Sequence, residues 1–443
     1  MRYAFLALAG LALAGALSGC TSPAPPMTQA PLPPVREWSA AALAELRATA
    51  AAAPEEGFAP ETAALAQLDA LAPATDPRAA AQIDETANTL FARLADAFAR
   101  GVADPGVADP EWRVARPPAP EAASLRAAVV AEGGPAAALR TLLPDDPEYD
   151  ALRRELARVT AEPAGTPDAN GLTREARIER LRVNLERWRW LPRHLPARRI
   201  DVRIPRFELL VRSEGAAPER HAVIVGARGM PTPSFVAEIG AITLNPTWTP
   251  PSKIVREELL PRFRRDPDAA AREGFDALDA SGNIVPHASV DWNARPFPYV
   301  LRQRAGAGNA LGRVRFDLPN PFAIYLHDTP NRGAFAQADR ARSHGCIRVA
   351  DPVGMAESLF GNPAWSRDAI NQTIDAGATQ RVPLAVATPV YILYLTVNVD
   401  ETGAVVYADD IYRRDARVLR ALDADPSVQR ASATGLATTD CGV

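Results

Sequence analysis

Hydrophobic and polar positions follow two different repeats along the chain, and the change falls near residue 200. From about 37 to 195, apolar side chains recur at helical spacing between proline-containing breaks. The clearest helix runs from Thr173, a suitable cap, to Trp190, and Pro192 ends it. Its apolar face carries Ile178, Leu181, Leu185 and Trp188. This half of the chain is therefore predicted to be α-helical.

Beyond Ile200 the apolar runs become short, β-branched and aromatic, which is typical of strands. The runs are Phe207–Val211, His221–Gly226, Ile324–His327 and Tyr391–Val399. Asp400 to Gly403 has the composition of a hairpin turn. The predicted fold class is therefore α+β, with a helical scaffold domain at 37–198 and a mostly β domain at 199–424.

A long insertion at 245–298 interrupts the β domain and contains a predicted helix at Ile254–Phe263. A segment of this size beside a catalytic strand is a candidate lid over a cleft. It is equally compatible with a surface elaboration that takes no part in binding. Both interpretations stay open.

The first twenty residues have the pattern of a targeting segment, with Arg2, an apolar run at 4–17 and then Cys20. The run is too short to span a bilayer. It resembles the lipobox of bacterial lipoproteins, which implies cleavage before Cys20 and lipidation of that residue. An ordinary signal peptide is the alternative. Residues 21–36 are predicted to be a linker and 425–443 a disordered tail.

Charge and cysteine content narrow the function. The 49 basic and 53 acidic residues give a net charge of −4, so no nucleic-acid partner is expected. Neither a Walker loop nor a dinucleotide fingerprint is present, and no cofactor is predicted. If Cys20 is lipidated and Cys441 lies in the tail, Cys346 remains as a free thiol. Catalysis is the usual reason for such a thiol in an oxidising compartment.

The segment from Pro321 to Asp351 carries the candidate chemistry. Alternation predicts a strand from Phe322 to His327, with Tyr325 and His327 on one face. Ile347 and Val349 predict a second strand, and Asp351-Pro352 the cap and first residue of a helix. If the two strands pair, His327 and Cys346 come within reach of each other.

This arrangement suits nucleophilic catalysis. A free thiol has a pKa of about 8.5, and a neighbouring imidazole makes attack possible near neutrality. Cys346 is therefore the predicted nucleophile and His327 its base. Asp328 is expected to orient His327, through either its carbonyl or its carboxylate. The backbone N–H groups of Gly345 and Cys346 are the candidate oxyanion donors.

Further candidate substrate contacts each have a structural alternative. They are Arg348 (a peptide carboxylate or an ion pair), His344 (substrate or its own loop), Ser343 (a catalytic hydroxyl or, as the favoured reading, a turn hydroxyl), Tyr325 (cleft or packing) and Trp248 (lid or hydrophobic anchor). His327, His344 and Cys346 could also hold zinc, although no second shell is evident, and no metal is predicted.

HDT followed by SHGCIRV resembles the signature of YkuD-type L,D-transpeptidases, in which the upstream His is the base and the Cys the nucleophile. NLERWRWLP (184–192), NPTWTPPSKIV (245–255) and GNALGRVRF (308–316) are similar to the large, scaffold-bearing YcbB-like branch. The resemblance covers about residues 175–420 and involves no metal. A peptidoglycan-binding module that this branch often carries is missing between Tyr149 and Thr173.

The resemblance implies a two-step transfer on peptidoglycan. Cys346 would form a thioester with a tetrapeptide stem and release D-Ala, and the amine of an acceptor stem would then give a 3-3 cross-link. Carbapenems would acylate Cys346. The expected location is the periplasm, with a lipid anchor at the outer membrane.

Two other functions stay open. A hydrolase that releases D-Ala or detaches a wall-linked protein would use the same residues. A catalytically idle, wall-binding scaffold lipoprotein is the second. Cysteine peptidases of the NlpC/P60 type are disfavoured, because they place Cys before His.

Overall fold

The computed structural model describes residues 38–72 and 77–424. The predicted signal peptide, Cys20, the linker and the tail with Cys441 lie outside these residues. The predicted order, a helical half followed by a mostly β half, is confirmed. Among the described helices, none is both long enough and apolar enough to cross a membrane.

Helices make up the first half. They are α1 (Ala40–Ala51), α2 (Thr62–Leu71), α3 (Pro77–Arg100), α4 (Pro105–Ala108), α5 (Ala122–Ala131), α6 (Pro135–Arg140), α7 (Pro147–Thr160) and α8 (Arg174–Arg189), with a 3₁₀ turn at Ala53–Glu56. The Thr173 hydroxyl accepts from the Ala176 N–H at 3.3 Å, so the predicted cap of α8 is confirmed. Both faces of α8 are buried, because Arg187 and Arg189 are enclosed along with its apolar side chains.

Strands begin at Arg199. They are β1 (Arg199–Arg203), β2 (Glu208–Arg212), β3 (Glu219–Gly226), β4 (Phe235–Leu244), β5 (Phe275–Leu278), β6 (Ile284–Val285), β7 (Val300–Gln303), β8 (Val314–Asp317), β9 (Leu326–His327), β10 (Ala341–Ser343), β11 (Ile347–Val349), β12 (Gln380–Leu393), β13 (Val397–Val399) and β14 (Val405–Tyr407). The large sheet has the order β10-β3-β11-β9-β8-β4-β12-β1-β2, and β2 also pairs with β3. This last pairing closes the sheet around an apolar core.

Shorter helices connect or flank these strands. They are α9 (Ser252–Ile254), α10 (Leu260–Arg265), α11 (Asp268–Arg272), α12 (Pro352–Phe360), α13 (Arg367–Asp375) and α14 (Asp415–Asp423), with 3₁₀ turns at Ile204–Arg206, His287–Ser289, Arg332–Ala336 and Pro363–Trp365. Asp351 caps α12 through the Gly354 N–H at 3.0 Å, as predicted.

The insertion is a small folded module with its own core. Strands β5, β6 and β7 form a separate sheet, and Phe263, Phe275 and Trp292 pack together at its centre. Because β7 ends at Gln303 and pairs with β5, the module continues beyond the predicted limit at 298.

A continuous helical stretch from Ser252 to Arg265 spans the module, with a π-helical segment at Val255–Leu259 between α9 and α10. Pro261 has no N–H to donate and crowds the carbonyl four residues earlier. The wider turn accommodates this proline, which gives a physical reason for the π segment.

The last described residues return to the helical half. The predicted hairpin at 400–403 is confirmed, since β13 pairs with β14 across it. Leu395, Val397, Val418 and Leu422 are buried in the same core as the scaffold helices. The end of the β half therefore completes the helical core.

One predicted strand is much shorter than expected. Only Leu326 and His327 form β9, whereas Phe322 is 37% exposed. Ala323 has a left-handed φ of 54°, and the Asn320 side chain accepts from the N–H groups of Phe322 and Ile324. This turn uses the N–H groups that an extended strand would have given to a neighbour.

Candidate active site

Two short parallel strands bring the candidate residues to one face. Arg348 on β11 lies opposite His327 on β9, and Ile347 lies opposite Leu326. The predicted side-by-side pairing is therefore confirmed. Because side chains alternate along a strand, Cys346 and Arg348 share a face with Tyr325 and His327.

His327 is held by the main chain. It is buried, and its Nδ1 contacts the Asp328 carbonyl oxygen at 2.5 Å. Since a carbonyl can only accept, Nδ1 carries the proton and Nε2 is left as the acceptor. Burial and the nearby charge of Arg348 lower the pKa of His327 to about 4, although the hydrogen bond to Asp328 acts in the opposite direction. The imidazole is therefore neutral at neutral pH.

The Asp328 carboxylate has other partners. Its oxygens accept from the backbone N–H groups of Arg313 (2.8 Å) and Thr329 (2.6 Å), and Arg332 forms an ion pair with it at 2.7 Å. Gly312, with φ +63°, lies so close that a Cβ atom there would be 2.5 Å from the Asp328 Cβ. Of the two possibilities left open by the sequence, the geometry thus favours the carbonyl.

The Cys346 thiol is half-buried and forms no disulfide within the described residues. Its Sγ donates to the Ala323 carbonyl at 3.8 Å. Burial raises the pKa of the thiol, while a backbone hydrogen bond from Tyr325 and the charge of Arg348 oppose that shift. Among the described residues the thiol and the His327 imidazole form no hydrogen bond with each other, and the direction of both pKa shifts leaves both groups uncharged at neutral pH.

The turn before Cys346 is fixed by hydroxyl groups. Ser343 Oγ accepts from the Gly345 N–H at 3.1 Å and donates to the Cys346 carbonyl at 2.5 Å, while Thr232 Oγ1 donates to the Gly345 carbonyl at 2.8 Å. Gly345 has φ +108°, which favours glycine.

These contacts change which group can serve as the oxyanion donor. The Gly345 N–H is already engaged by Ser343, which argues against the predicted role of Gly345. The Cys346 N–H makes no hydrogen bond to another residue that the structure describes. It is therefore the better candidate donor.

Arg348 and Tyr325 lie next to His327 and Cys346 on the paired strands. Arg348 forms no ion pair with any described carboxylate, and its Nε is buried without a partner. The Tyr325 ring faces the guanidinium of Arg315 at 5.4 Å, and its carbonyl accepts from the Ile347 N–H at 2.9 Å. An unpaired guanidinium beside a thiol is suited to an anionic ligand.

Of the other two candidates, His344 contacts the inserted module and Trp248 is part of it. His344 Nε2 contacts Glu258 Oε1 of the π segment at 2.5 Å, which joins the module to the cysteine loop. Trp248 packs its ring against Phe275 at 6.1 Å, and its main chain bonds Gln303 in both directions. Trp248 is thus partly buried against the module core, which fits the anchor interpretation better than the lid interpretation.

A metal-binding arrangement of these groups was an alternative. Within residues 38–72 and 77–424, no three His, Cys, Asp or Glu side chains are gathered so as to hold a metal ion. His344 is directed to Glu258 instead of joining His327 and Cys346.

Sequence reasoning missed four residues that shape the site: Thr232, Glu258, Gly312 and Asn320. Gly312 lies in GNALGRVRF, which stood out as a motif, but nothing in the sequence pointed to its contact with Asp328. Thr232 and Glu258 act across gaps of 113 and 86 residues. Only the Asn320-Pro321 dipeptide was a usable local signal, as a turn.

Comparisons with known proteins give a separate match for each half of the chain. Residues 197–392 match the model of the YkuD family, described as the L,D-transpeptidase catalytic domain. Residues 37–156 match the model described as the Scaffold domain. The two matched segments correspond to the strand-rich and helical halves.

A relative from Haemophilus influenzae, named provisionally as an L,D-transpeptidase, is 35% identical over 242 residues, covering 54% of this chain and 49% of that protein. The chain thus spans about half the length of this relative. Among solved structures, an L,D-transpeptidase from Mycobacterium smegmatis is 14% identical (44% of this chain, 57% of that chain, TM-score 0.21). L,D-transpeptidase 3 from Mycobacterium tuberculosis is 15% identical (45% and 61%, TM-score 0.20). Structural similarities this low carry no assignment.

Proposed function

We propose that this chain is a cysteine acyltransferase that forms 3-3 cross-links between peptidoglycan stem peptides, and the match of residues 197–392 to the YkuD family model of L,D-transpeptidase catalytic domains supports the proposal. The observation that carries the proposal is the pairing of β9 with β11. It puts a thiol, a neutral imidazole and an unpaired guanidinium on one face.

The first step transfers the stem to the enzyme. The thiol turns from the Ala323 carbonyl towards Nε2 of His327, which takes its proton as sulfur attacks the carbonyl of the third stem residue. The Cys346 N–H donates to the developing oxyanion. The peptide bond then breaks, His327 returns the proton to the leaving amine of D-Ala, and a thioester remains.

The second step transfers the stem to its acceptor. The side-chain amine of a diaminopimelate on a neighbouring stem attacks the thioester carbonyl and loses a proton to His327. The carbon–sulfur bond breaks and the thiolate recovers that proton. One amide is broken and one is formed, so the exchange needs no oxidant or external energy source. Arg348 binds a carboxylate of the donor stem.

Intact-mass analysis tests this proposal. The soluble chain after Cys20 is mixed with a carbapenem or with tetrapeptide muropeptides, with and without EDTA. We expect a covalent adduct on Cys346 that EDTA does not affect, loss of D-Ala, and a dimeric product. Cys346→Ala and His327→Ala should abolish turnover, whereas Cys441→Ser should leave it nearly intact.

Other results would contradict the proposal and favour a different function. Release of D-Ala without a dimer would identify a hydrolase. No adduct, together with no product, would favour a non-catalytic scaffold, and activity lost with EDTA would favour a metal mechanism.

The anchor and location remain part of the proposal. Its support is the pattern of residues 1–20, which lie outside the described residues. We propose lipidation at Cys20 and an outer-membrane position facing the periplasm. Labelling with a radioactive fatty acid should mark the natural chain and fail for Cys20→Ser; equal labelling of both would contradict it.

A further inference from the structure

The inserted module contains a cavity of about 610 Å³. Leu260 and Leu301 are buried at its apolar surface, and Phe297 and Tyr299 form an aromatic wall. Trp292 supports that wall, since its ring stacks on Phe297 at 5.8 Å. None of the lining residues is among the described groups that contact Cys346 or His327. The volume is typical of a small-ligand site.

Three arginines, Arg256, Arg264 and Arg295, line this cavity. None of them forms an ion pair with a carboxylate in the described part of the chain. Arg264 Nε donates to the Trp292 carbonyl at 2.9 Å, which fixes the side chain and leaves the two terminal nitrogens of its guanidinium for a ligand. Three like charges around one cavity repel each other, and a bound anion would relieve this repulsion.

Several other arginines of the same module are paired. Arg262 contacts Glu273 at 2.5 Å, and Arg304 contacts Asp276 at 3.1 Å. The module therefore has acidic residues, but none of those described is placed against the cavity arginines. Arg256, Arg264 and Arg295 thus bring three positive charges without a described carboxylate partner to one cavity.

We propose that this cavity binds a carboxylate-bearing peptide, specifically a second stem peptide of the wall polymer, an assignment that rests on the proposed function. Guanidinium groups bind carboxylates with paired hydrogen bonds. The apolar surface accepts methyl-sized side chains, and the hydroxyls of Ser252 and Tyr299, unbonded within the described residues, can bond peptide groups. A concave site of this kind fits a short peptide better than a lipid surface.

The same helical stretch connects the cavity to the cysteine loop. Arg256 lines the cavity, and Glu258, two residues later, contacts His344. A peptide held in the cavity therefore rests on an element that is fastened next to the nucleophile. This connection suits a site that holds the stem of a neighbouring strand.

Isothermal titration of the full chain tests the proposal, with Cys346→Ala to prevent turnover. The ligands are a synthetic stem tetrapeptide, the same peptide with its carboxylates converted to carboxamides, inorganic phosphate, and phosphatidylglycerol vesicles. Arg256→Gln with Arg295→Gln is compared with Arg113→Gln and Arg265→Gln. These control arginines are exposed, form no ion pair with a described residue and lie outside the cavity, so the charge change is the same.

We expect the cavity variant to weaken tetrapeptide binding about tenfold or more, the control variant to bind as before, and the carboxamide peptide to bind poorly. Equal binding by both variants would overturn the assignment. So would phosphate or vesicles that match the peptide in affinity, since the site would then accept any anion or a lipid surface. Acylation of Cys346 by a carbapenem in the unsubstituted chain tests the proposed function independently.

Discussion

At the scale of single residues, the site combines a thiol and an imidazole that are both uncharged at rest. The Asp328 carbonyl fixes which nitrogen of His327 holds the proton, and burial disfavours charge on both His327 and Cys346. A preformed thiolate–imidazolium pair is therefore not the resting state. The proton moves only as sulfur attacks, so His327 must be neutral for the reaction to begin.

The pH dependence of acylation follows from this. The groups around the ring are Arg348 and Arg315, which lower its pKa, and the Asp328 and Leu311 backbones, which raise it. We expect the rate of carbapenem acylation to be retained through mildly acidic pH and to fall only as pH approaches about 4, where His327 becomes protonated. Stopped-flow acylation across pH measures this, and an acid limb near 6.5, the ordinary imidazole value, would contradict it.

Gly312 offers a second test at this scale. In Gly312→Ala, residue 312 would have to keep a φ of +63°, which is strained for alanine. Its new Cβ atom would also overlap the Asp328 side chain. We expect a loss of about 1–3 kcal/mol in the free energy of unfolding and slower acylation of Cys346. Gly308→Ala in the same loop is the matched control, since no atom lies within 4 Å of the position that its new methyl group would take. Equal effects of the two changes would refute the specific contact with Asp328.

At the scale of elements, the helical stretch 252–265 decides how the module is attached near the cysteine. The Glu258–His344 contact lies on its π segment, so the widened turn and the attachment coincide. Both side chains are partly exposed, and such a pair contributes at most about 1 kcal/mol. This single contact is thus weak enough to break without unfolding the module.

Glu258→Ala should loosen this stretch without unfolding the molecule. We expect faster amide hydrogen exchange across 252–265, measured by mass spectrometry, with exchange in β12 unchanged. Glu257→Ala is the control, because Glu257 is an exposed neighbour with no ion pair in the described part of the chain. Faster exchange in the control, or none in Glu258→Ala, would show that the contact does not hold the module.

Elements governed by local sequence could be predicted, and those that depend on distant partners could not. Helix α8 with its Thr173 cap, the Asp351 cap and the pairing of the strands of His327 and Cys346 all rest on short-range spacing. The prediction of a strand beginning at Phe322 was wrong because the Asn320 side chain accepts hydrogen bonds from the N–H groups of Phe322 and Ile324. In the candidate site, Cys346 and His327 were found from their motif, whereas the contacts of Thr232 and Glu258 come from far along the chain.

At the scale of the whole molecule, charges buried between its halves connect the helices to the end of the chain. Arg187 is fully buried and contacts Asp415 at 2.5 Å and Asp109 at 3.4 Å, while Arg414 also contacts Asp109 at 2.7 Å. No repeat in the sequence predicted this network, since its directly bonded members are up to 305 residues apart. Such a network specifies one docking arrangement of the halves.

Removing one member should therefore be costly. Arg187→Ala leaves Asp109 and Asp415 buried with fewer compensating charges, and we expect a loss of about 3–5 kcal/mol in the free energy of unfolding. Urea denaturation followed by circular dichroism measures it. Arg228→Ala is the control. It removes an exposed ion pair with Asp339 and should barely change the urea concentration at the midpoint of unfolding. Similar shifts for the two variants would mean that the buried network adds no stability.

The packing of β13, β14 and α14 against the scaffold core has a consequence for biosynthesis. Leu395, Val397, Val418 and Leu422 complete a core most of whose other members lie between Leu46 and Leu191 and are synthesised about two hundred or more residues earlier. The scaffold helices leave the ribosome long before residues 395–422, which cover them. The nascent helical half therefore keeps an open apolar side and gains its final packing only after residues 395–422 have been synthesised.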